Sequence, residues 1–227
     1  MLIKDWMTQG SINLGQDTSI IVAAEIMRRN NVRQLPVVDD KGNLAGIVSD
    51  RDVRDALPSK FLPGDGLEPG SETTLASIKA KHVMTLDPVV ISPDEPVETA
   101  AEALLTNKIG GLPVVDNDNN LVGIITEIDV FRYLCAVTGV TLGGLQMVFE
   151  LEDTPGAAIE LLATLRDQDI RLTSVLTSYA HVRPGFRHVS IRVQSTGRHT
   201  LESLVEFLKG KYPLVFYVND GHAVSVS

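Results

Sequence analysis

The sequence predicts an α+β chain: two β-α-β-β-α units related by a pseudo-twofold axis, then a separate domain in β-α-β-β-α-β order. Three observations lead there. Residues 7–53 slide forward by 77 onto residues 84–130 without a gap, with 18 of 47 positions identical, so one supersecondary unit is used twice. Within each copy, short apolar runs alternate with helically spaced apolar residues. After the second copy, the glycine-rich stretch 138–144 opens onto a different succession of elements.

Each copy begins with an extended piece, Ser11–Leu14 or Pro88–Ile91. A helix follows, its apolar residues being Ile20, Ala23, Ala24 and Met27 in the first copy and Val97, Ala100, Ala101, Leu104 and Leu105 in the second. Polar turns at Asn30-Asn31 and Asn107-Lys108 stop these helices. A buried strand (Leu35–Val38, Leu112–Val115), a turn rich in Asp, Asn and Gly, and a second strand (Leu44–Val48, Leu121–Ile125) come next. A final helix starts at Ser49 or Thr126. Between the copies, Pro58 to Ser71 carries three prolines and three glycines and reads as a surface connection. Beyond the break, Leu145–Leu151 reads as a strand and Asp153-Thr154-Pro155-Gly156 as a turn. A helix with inner face Ala158, Ile159, Leu162 and Leu165 follows, then strands at Ile170–Ser178 and His188–Val193. A helix bearing Leu201, Leu204, Val205 and Leu208 and a strand at Leu214–Val218 complete the ferredoxin-like order. Two helices cover one face of such a sheet, and the other face calls for a partner subunit. The expected boundaries are 1–57 and 77–137 for the repeats, 58–76 for the linker, 138–143 for a hinge, 144–221 for the last domain and 222–227 for a tail.

The 227 residues are 44% hydrophobic, enough for one large or two small cores, and carry a net charge of −9. Split at Gly143, the first part holds −8 and the remainder −1. An acidic surface repels phosphate backbones and anionic lipid, which disfavours nucleic-acid and membrane-surface binding but leaves room for a small anion in a local basic pocket. The lone Cys135 has no disulfide partner and sits in an apolar run as a small core side chain. No stretch has the length and apolarity of a signal peptide or membrane span, and a cytoplasmic location is expected.

Ser49-Asp50-Arg51-Asp52 and Thr126-Glu127-Ile128-Asp129 each place a hydroxyl at a strand end and a carboxylate three residues on, as a helix opens. One reading is a capping box, with hydroxyl and acid satisfying early helix amides. Another uses the same groups for a ligand: free amides and a hydroxyl for an anion, a carboxylate for a ribose diol. Both can hold at once.

The paired units, with Leu-Pro-Val-Val-Asp and then Gly-Ile-Val-Ser-Asp-Arg-Asp or Gly-Ile-Ile-Thr-Glu-Ile-Asp, resemble a tandem of CBS domains (a Bateman module) over most of residues 1–137. The resemblance implies clefts for adenosine-containing ligands such as AMP, ADP, ATP or S-adenosylmethionine, bound as regulators. It places Ser49 and Thr126 at phosphate or ribose and Asp52 and Asp129 at the ribose hydroxyls. Adenine would lie between Ile12 and Asn13 and Val32, Leu35 and Pro36, or between Val89 and Val90 and Ile109, Leu112 and Pro113. The clefts differ: Arg33 and Arg51 of the first have counterparts Gly110 and Ile128, with Lys108 the nearby cation in the second. Two guanidiniums neutralise phosphate through paired hydrogen bonds, so the first cleft is expected to take the phosphorylated ligand. The second is expected to be empty, weaker, or suited to a less anionic adenosine compound.

The C-terminal unit resembles an ACT domain, which implies a possible amino-acid effector site at Asp153, Thr154, Pro155 and Gly156, or dimerisation alone. The whole order resembles AcuB-like acetoin-utilisation proteins, including Arg51-Asp52 followed by Pro58-Ser59. Two other patterns fail. Asp116 to Glu127 mimics a calcium loop but has Leu121 where a sharp bend needs glycine. The five histidines lack metal-ligand spacing, so no metal is expected. Without phosphate-binding loop, nucleophile elbow or a base near Ser49 and Thr126, a ligand-sensing regulator is expected rather than an enzyme, with homodimers or higher homo-oligomers. A ligand-independent scaffold for a metabolic enzyme is the alternative.

Overall fold

The computed structural model describes residues 1–56, 77–219 and 221–226, and the expected linker 58–76 lies outside the described residues. The chain divides into two compact units, Met1–Tyr133 and Leu134–Ser227.

In the first unit the repeats share more than the sequence suggests. A 3-10 turn at Ile3–Asp5 and strand β1 (Thr8–Gln9) precede β2 (Leu14–Gly15), helix α1 (Ile20–Asn30), β3 (Gln34–Val38), β4 (Leu44–Ser49) and α2 (Asp50–Ala56). The second copy has α3 (Ala80–Val83), β5 (Thr85–Leu86), α4 (Val97–Asn107), β6 (Gly111–Val115), β7 (Leu121–Thr126) and α5 (Glu127–Thr138). The leading strands are exchanged: β1 pairs with β7 and β5 pairs with β4, both antiparallel. The helical turns before them are exchanged too. Ile3, fully buried, belongs to the core of the second repeat, and Ala80, its counterpart, to that of the first. Ile3 N donates to Glu95 O, and Ala80 N to Thr18 O. Trp6 meets Tyr133 edge to face at 5.5 Å, and the Tyr133 hydroxyl donates to Glu98.

The exchange explains a glycine in each signature. A Cβ on Gly46 would lie 2.8 Å from Thr85 O, and one on Gly123 would lie 2.6 Å from Thr8 O. Each arriving strand is therefore seated on bare backbone.

The two hairpin turns meet at the pseudo-twofold, where Asn43 bridges Asn120 and Leu44 N donates to Asn119 O. Asp39 accepts from the amides of Lys41 and Asn43, and Asp116 from those of Asp118 and Asn120. Side-chain hydrogen bonds from Asn43 and Asn120 are the foremost cause holding both carboxyls below the usual 3.8. A lowered carboxyl stabilises the turn above its unfolded-state value and loses that contribution as pH falls through the folded one. The amide signals of Asp118 and Asn120 are therefore expected to shift in acid below about 3.8. In Asp116→Asn that acid step is expected to vanish from the NMR titration; its persistence would contradict the role of this carboxyl.

The second unit contains β8 (Leu145–Glu152), α6 (Ala157–Asp167), β9 (Arg171–Ser178), β10 (Phe186–Ser195), α7 (Leu201–Lys209), β11 (Leu214–Asn219) and β12 (His222–Ser225). The sheet order is β12-β11-β8-β10-β9, with every pair antiparallel. The stretch expected as a tail thus contains the edge strand β12. Helices and sheet enclose Met147, Phe149, Leu161, Leu165, Ile191 and Leu204. The inner face of α6 differs from expectation: Leu161 is fully buried and Ile159 is 69% exposed. The core stripe runs through Leu161 and Leu165, one turn apart, and Ile159 falls outside it.

The opposite sheet face is partly covered by the chain itself. The division between units falls inside α5, so Leu134–Thr138 and the 3-10 turn Val140–Leu142 belong with the sheet. Ser174 Oγ and Arg192 Nε both donate to Thr138 O, at 2.8 and 3.0 Å. Cys135 is half-buried and lines a cavity there rather than a core.

Candidate functional site

Each repeat builds the same cleft. Leu14 pairs in parallel with Val37, and Ile91 with Val114. Continuing that register upstream puts Ile12 and Asn13 beside Leu35 and Pro36, and Val89 and Val90 beside Leu112 and Pro113. The pairing stops there for a chemical reason. Ile91 N donates to Pro113 O, so the edge of Pro113 that faces the extended piece has a carbonyl but no amide. The ladder cannot continue past the proline, and the two segments are free to splay.

The walls are apolar and open. Ile12, Val89 and Val90 are exposed by 43, 42 and 40%, while Val32 and Ile109 are half-buried against the two cores. Leu35 and Leu112 correct the expectation that they face a ligand. Strand alternation turns both side chains into the cores, at 1 and 0% exposure; Pro36 and Pro113 lie on the other strand face and are themselves buried at the base of the cleft.

The capping reading of the signature holds in both copies. Asp52 Oδ2 accepts from Ser49 N at 2.7 Å and Ser49 Oγ at 2.6 Å, and Asp129 Oδ2 accepts from Thr126 N at 2.9 Å and Thr126 Oγ1 at 2.7 Å. In return each hydroxyl accepts from the amide of its acid, at 3.3 and 3.4 Å. The hydroxyls and one oxygen of each acid are thereby committed to the helix start.

The other carboxylate oxygen separates the copies. Asp129 Oδ1 accepts from Arg132 Nη1 at 2.8 Å, and the residue is 4% exposed. At the position of Arg132 the first copy has Asp55, and Asp52 Oδ1 accepts no hydrogen bond from the described residues. Arg132 was not singled out from the sequence; its helical spacing from Asp129 was the available signal.

The charges differ as well. Asp50 N donates to Arg33 O at 2.8 Å, which brings Arg33 beside the first turn of α2, where Arg51 lies; both side chains are exposed. At the equivalent junction Glu127 N donates to Gly110 O. The Gln34 amide lies over this second junction: a Cβ on Gly110 would stand 3.1 Å from its Nε2, and one on Gly111 2.6 Å from its Oε1. The first junction offers two guanidiniums, the second an amide and a carboxylate.

In the C-terminal unit the turn Asp153 to Gly156 is mostly exposed, with Gly156 at φ +100° leading into α6. Asp153 Oδ1 accepts from the Tyr179 hydroxyl at 3.2 Å and lies 3.6 Å from Arg187 Nε, close enough for charge attraction but too far for a hydrogen bond. Asp153 is thus tied to the residue that follows β9 and to β10. Among the described residues no helix is long and apolar enough to cross a membrane.

Two strand-exchanged β-α-β-β-α units around a pseudo-twofold, each with a proline-edged cleft closed by a hydroxyl-acid cap, define a paired ligand-cleft module. The CBS-domain family model matches residues 3–59 and 80–136, and the chain belongs to that family. It is 36% identical over 137 residues to a CBS domain-containing protein of Dictyostelium discoideum, covering 60% of this chain and 93% of that one. Relatives named as enzymes are matched over a fraction of their length. An L-aspartate semialdehyde sulfurtransferase of Methanocaldococcus jannaschii is 32% identical over 58% of this chain but 23% of its own. Among solved structures, a Vibrio cholerae protein assigned to acetoin utilization (AcuB) is 27% identical at a TM-score of 0.51, covering 62% of this chain and 95% of that one. Other solved CBS pairs, at TM-scores of 0.49 and 0.48, were determined with AMP and with 5′-methylthioadenosine plus S-adenosylmethionine.

Proposed function

We propose that this protein is a non-catalytic regulator whose first CBS cleft binds a phosphorylated adenosine ligand, AMP, ADP or ATP. The observation that carries this reading is the difference between the two acids: Asp52 has one oxygen that accepts no hydrogen bond from the described residues, at a helix start that also carries Arg51 and adjoins Arg33, whereas both oxygens of Asp129 are taken. Ile12, Asn13, Val32 and Pro36 form the adenine slot, Ser49 and Asp52 face the ribose, and the arginines meet the phosphate. In the second cleft, Val89, Val90, Ile109 and Pro113 form the slot. Thr126, Asp129 and Gly110, with Glu127 and Gln34 nearby, suit a neutral or cationic adenosine compound such as S-adenosylmethionine.

The C-terminal unit is ACT-like, which the strand order around β8 and β10 supports, and its turn at Asp153, Thr154, Pro155 and Gly156 is where an amino-acid effector would bind. Self-association is supported by apolar side chains on α5, where Ile128 and Phe131 are exposed by 64 and 59%. Regulation requires the ligand to favour one arrangement of the chains, typically by about 1–3 kcal/mol.

The test is calorimetry with AMP, ATP, adenosine and S-adenosylmethionine. Asp52→Ala is expected to weaken AMP binding by roughly 10- to 100-fold, as when a hydrogen bond to a charged group is lost. Asp129→Ala is expected to leave AMP binding nearly unchanged. Equal losses in both variants would remove the assignment of the nucleotide to the first cleft. A stable oligomer that binds none of the four compounds would favour a scaffold.

A further inference from the structure

We propose that the C-terminal unit holds a second kind of site, for a small monocarboxylate with a short aliphatic tail, in which Arg192 receives the carboxylate. Arg192 lies on the sheet face opposite α6 and α7 and is 8% exposed. Its guanidinium donates to Thr138 O at 3.0 Å, Gly143 O at 3.2 Å and Gln146 Oε1 at 3.0 Å, all neutral acceptors. Among the described residues no carboxylate lies within ion-pairing distance of it. A guanidinium carries five N–H donors, so two remain. A buried charge without a counter-charge costs several kcal/mol, and folded chains ordinarily supply the partner, as Arg132 does for the buried Asp129.

The missing anion has a place to sit. A cavity of about 250 Å³ opens beside Arg192, with Ser174 and Ser190 on its floor and Leu134, Val140 and Leu176 at its rim. The rim residues are exposed by 51, 49 and 39%, so a guest with an apolar tail would cover surface the chain leaves wet. Ser190 Oγ accepts from Gln146 Nε2 at 3.0 Å, which leaves its own proton to donate. Ser174 spends its proton on Thr138 O. The site therefore offers two N–H groups and one O–H, matched to the two oxygens of one carboxylate.

The same inventory rejects other guests. An α-ammonium group would bring a second cation beside the Arg192 guanidinium, with no carboxylate among the described residues near Arg192 to offset it, which sets this site apart from an amino-acid site at residues 153–156. Inorganic phosphate has more oxygens than these donors serve and no use for the apolar rim. The inference is independent of whether a nucleotide binds in the first unit.

The experiment titrates the full chain with isovalerate, with 3-methylbutan-1-ol (the same tail, uncharged), with acetate (the same head, no tail) and with inorganic phosphate, following heat and amide shifts of β9 and β10. Isovalerate is expected to bind at least 10-fold more tightly than each of the other three, with shifts at Ser174, Ser190 and Arg192. Because Arg192 also holds the backbone of Thr138 and Gly143, the decisive variant is Leu176→Asp, which spares Arg192 and its three acceptors and adds an anion at the rim. It is expected to lower isovalerate affinity at least 10-fold with an unchanged melting temperature. Absence of isovalerate binding, equal binding of phosphate, or full affinity in Leu176→Asp would each overturn the proposal.

Discussion

Replacing Gly123 with valine is expected to drive the N-terminal strand off the second repeat and to lower the melting temperature by about 10 °C. The first branched atom would enter at 2.6 Å from Thr8 O and 3.0 Å from Met7 Sδ. The sulfur can swing away, but the carbonyl belongs to the β1–β7 ladder and cannot move without breaking it. Overpacking of this kind costs about 1–3 kcal/mol, and release of the fully buried Ile3 adds to it. For a unit of this size 1 kcal/mol corresponds to several degrees, which sets the expected shift. Loss of hydrogen-exchange protection at Thr8 and Gln9, ahead of the rest of the first unit, would identify strand detachment as the cause. An unaltered melting temperature with Thr8 still protected would show that the strand tolerates a side chain beneath it.

The second large effect concerns charge. In the double variant Arg33→Ala/Arg51→Ala, AMP affinity is expected to fall by about 100-fold while adenosine affinity changes less than threefold. Each lost charge-assisted hydrogen bond is worth about 1.5–3 kcal/mol when shielded, and the exposure of both side chains places the pair toward the lower end. The calorimetric comparison of AMP with adenosine isolates the phosphate contribution from the adenine slot. An equal loss for both ligands would mean that the arginines support the fold of the cleft instead of reading the phosphate. Raising the salt concentration is expected to narrow the difference between AMP and adenosine in the wild type, since the arginines are not screened from solvent.

The sequence reached much of this arrangement because the repeat is dense in local signals. Turn residues at Asp39-Asp40-Lys41-Gly42-Asn43, the hydroxyl-x-x-acid caps and the apolar runs on either side each depend on contacts within a few residues. Those elements appear within a residue or two of their expected positions, as with β4 at Leu44–Ser49 and β7 at Leu121–Thr126. The exchanged strands β1 and β5 escaped because they are two residues long and have no pattern of their own. Their partners are far away in the chain, and the glycines that admit them look, in sequence, like ordinary strand glycines. The inner face of α6 departs from its expected phase at Ile159 for a related reason: several helical phases fit an apolar segment, and packing against Phe149 and Ile191 selects the one through Leu161.

By itself the sequence determined the duplicated unit, its strands and caps, the charge difference between the clefts and the existence of a separate C-terminal α+β unit. All of these follow from residue type and short-range spacing, which act before the chain has met itself. Tertiary structure alone decided which repeat each N-terminal segment serves, and that Arg192 is buried with no carboxylate among the described residues within ion-pairing distance. These depend on groups far apart in sequence arriving at the same place, where a few tenths of an ångström separate a hydrogen bond from a clash.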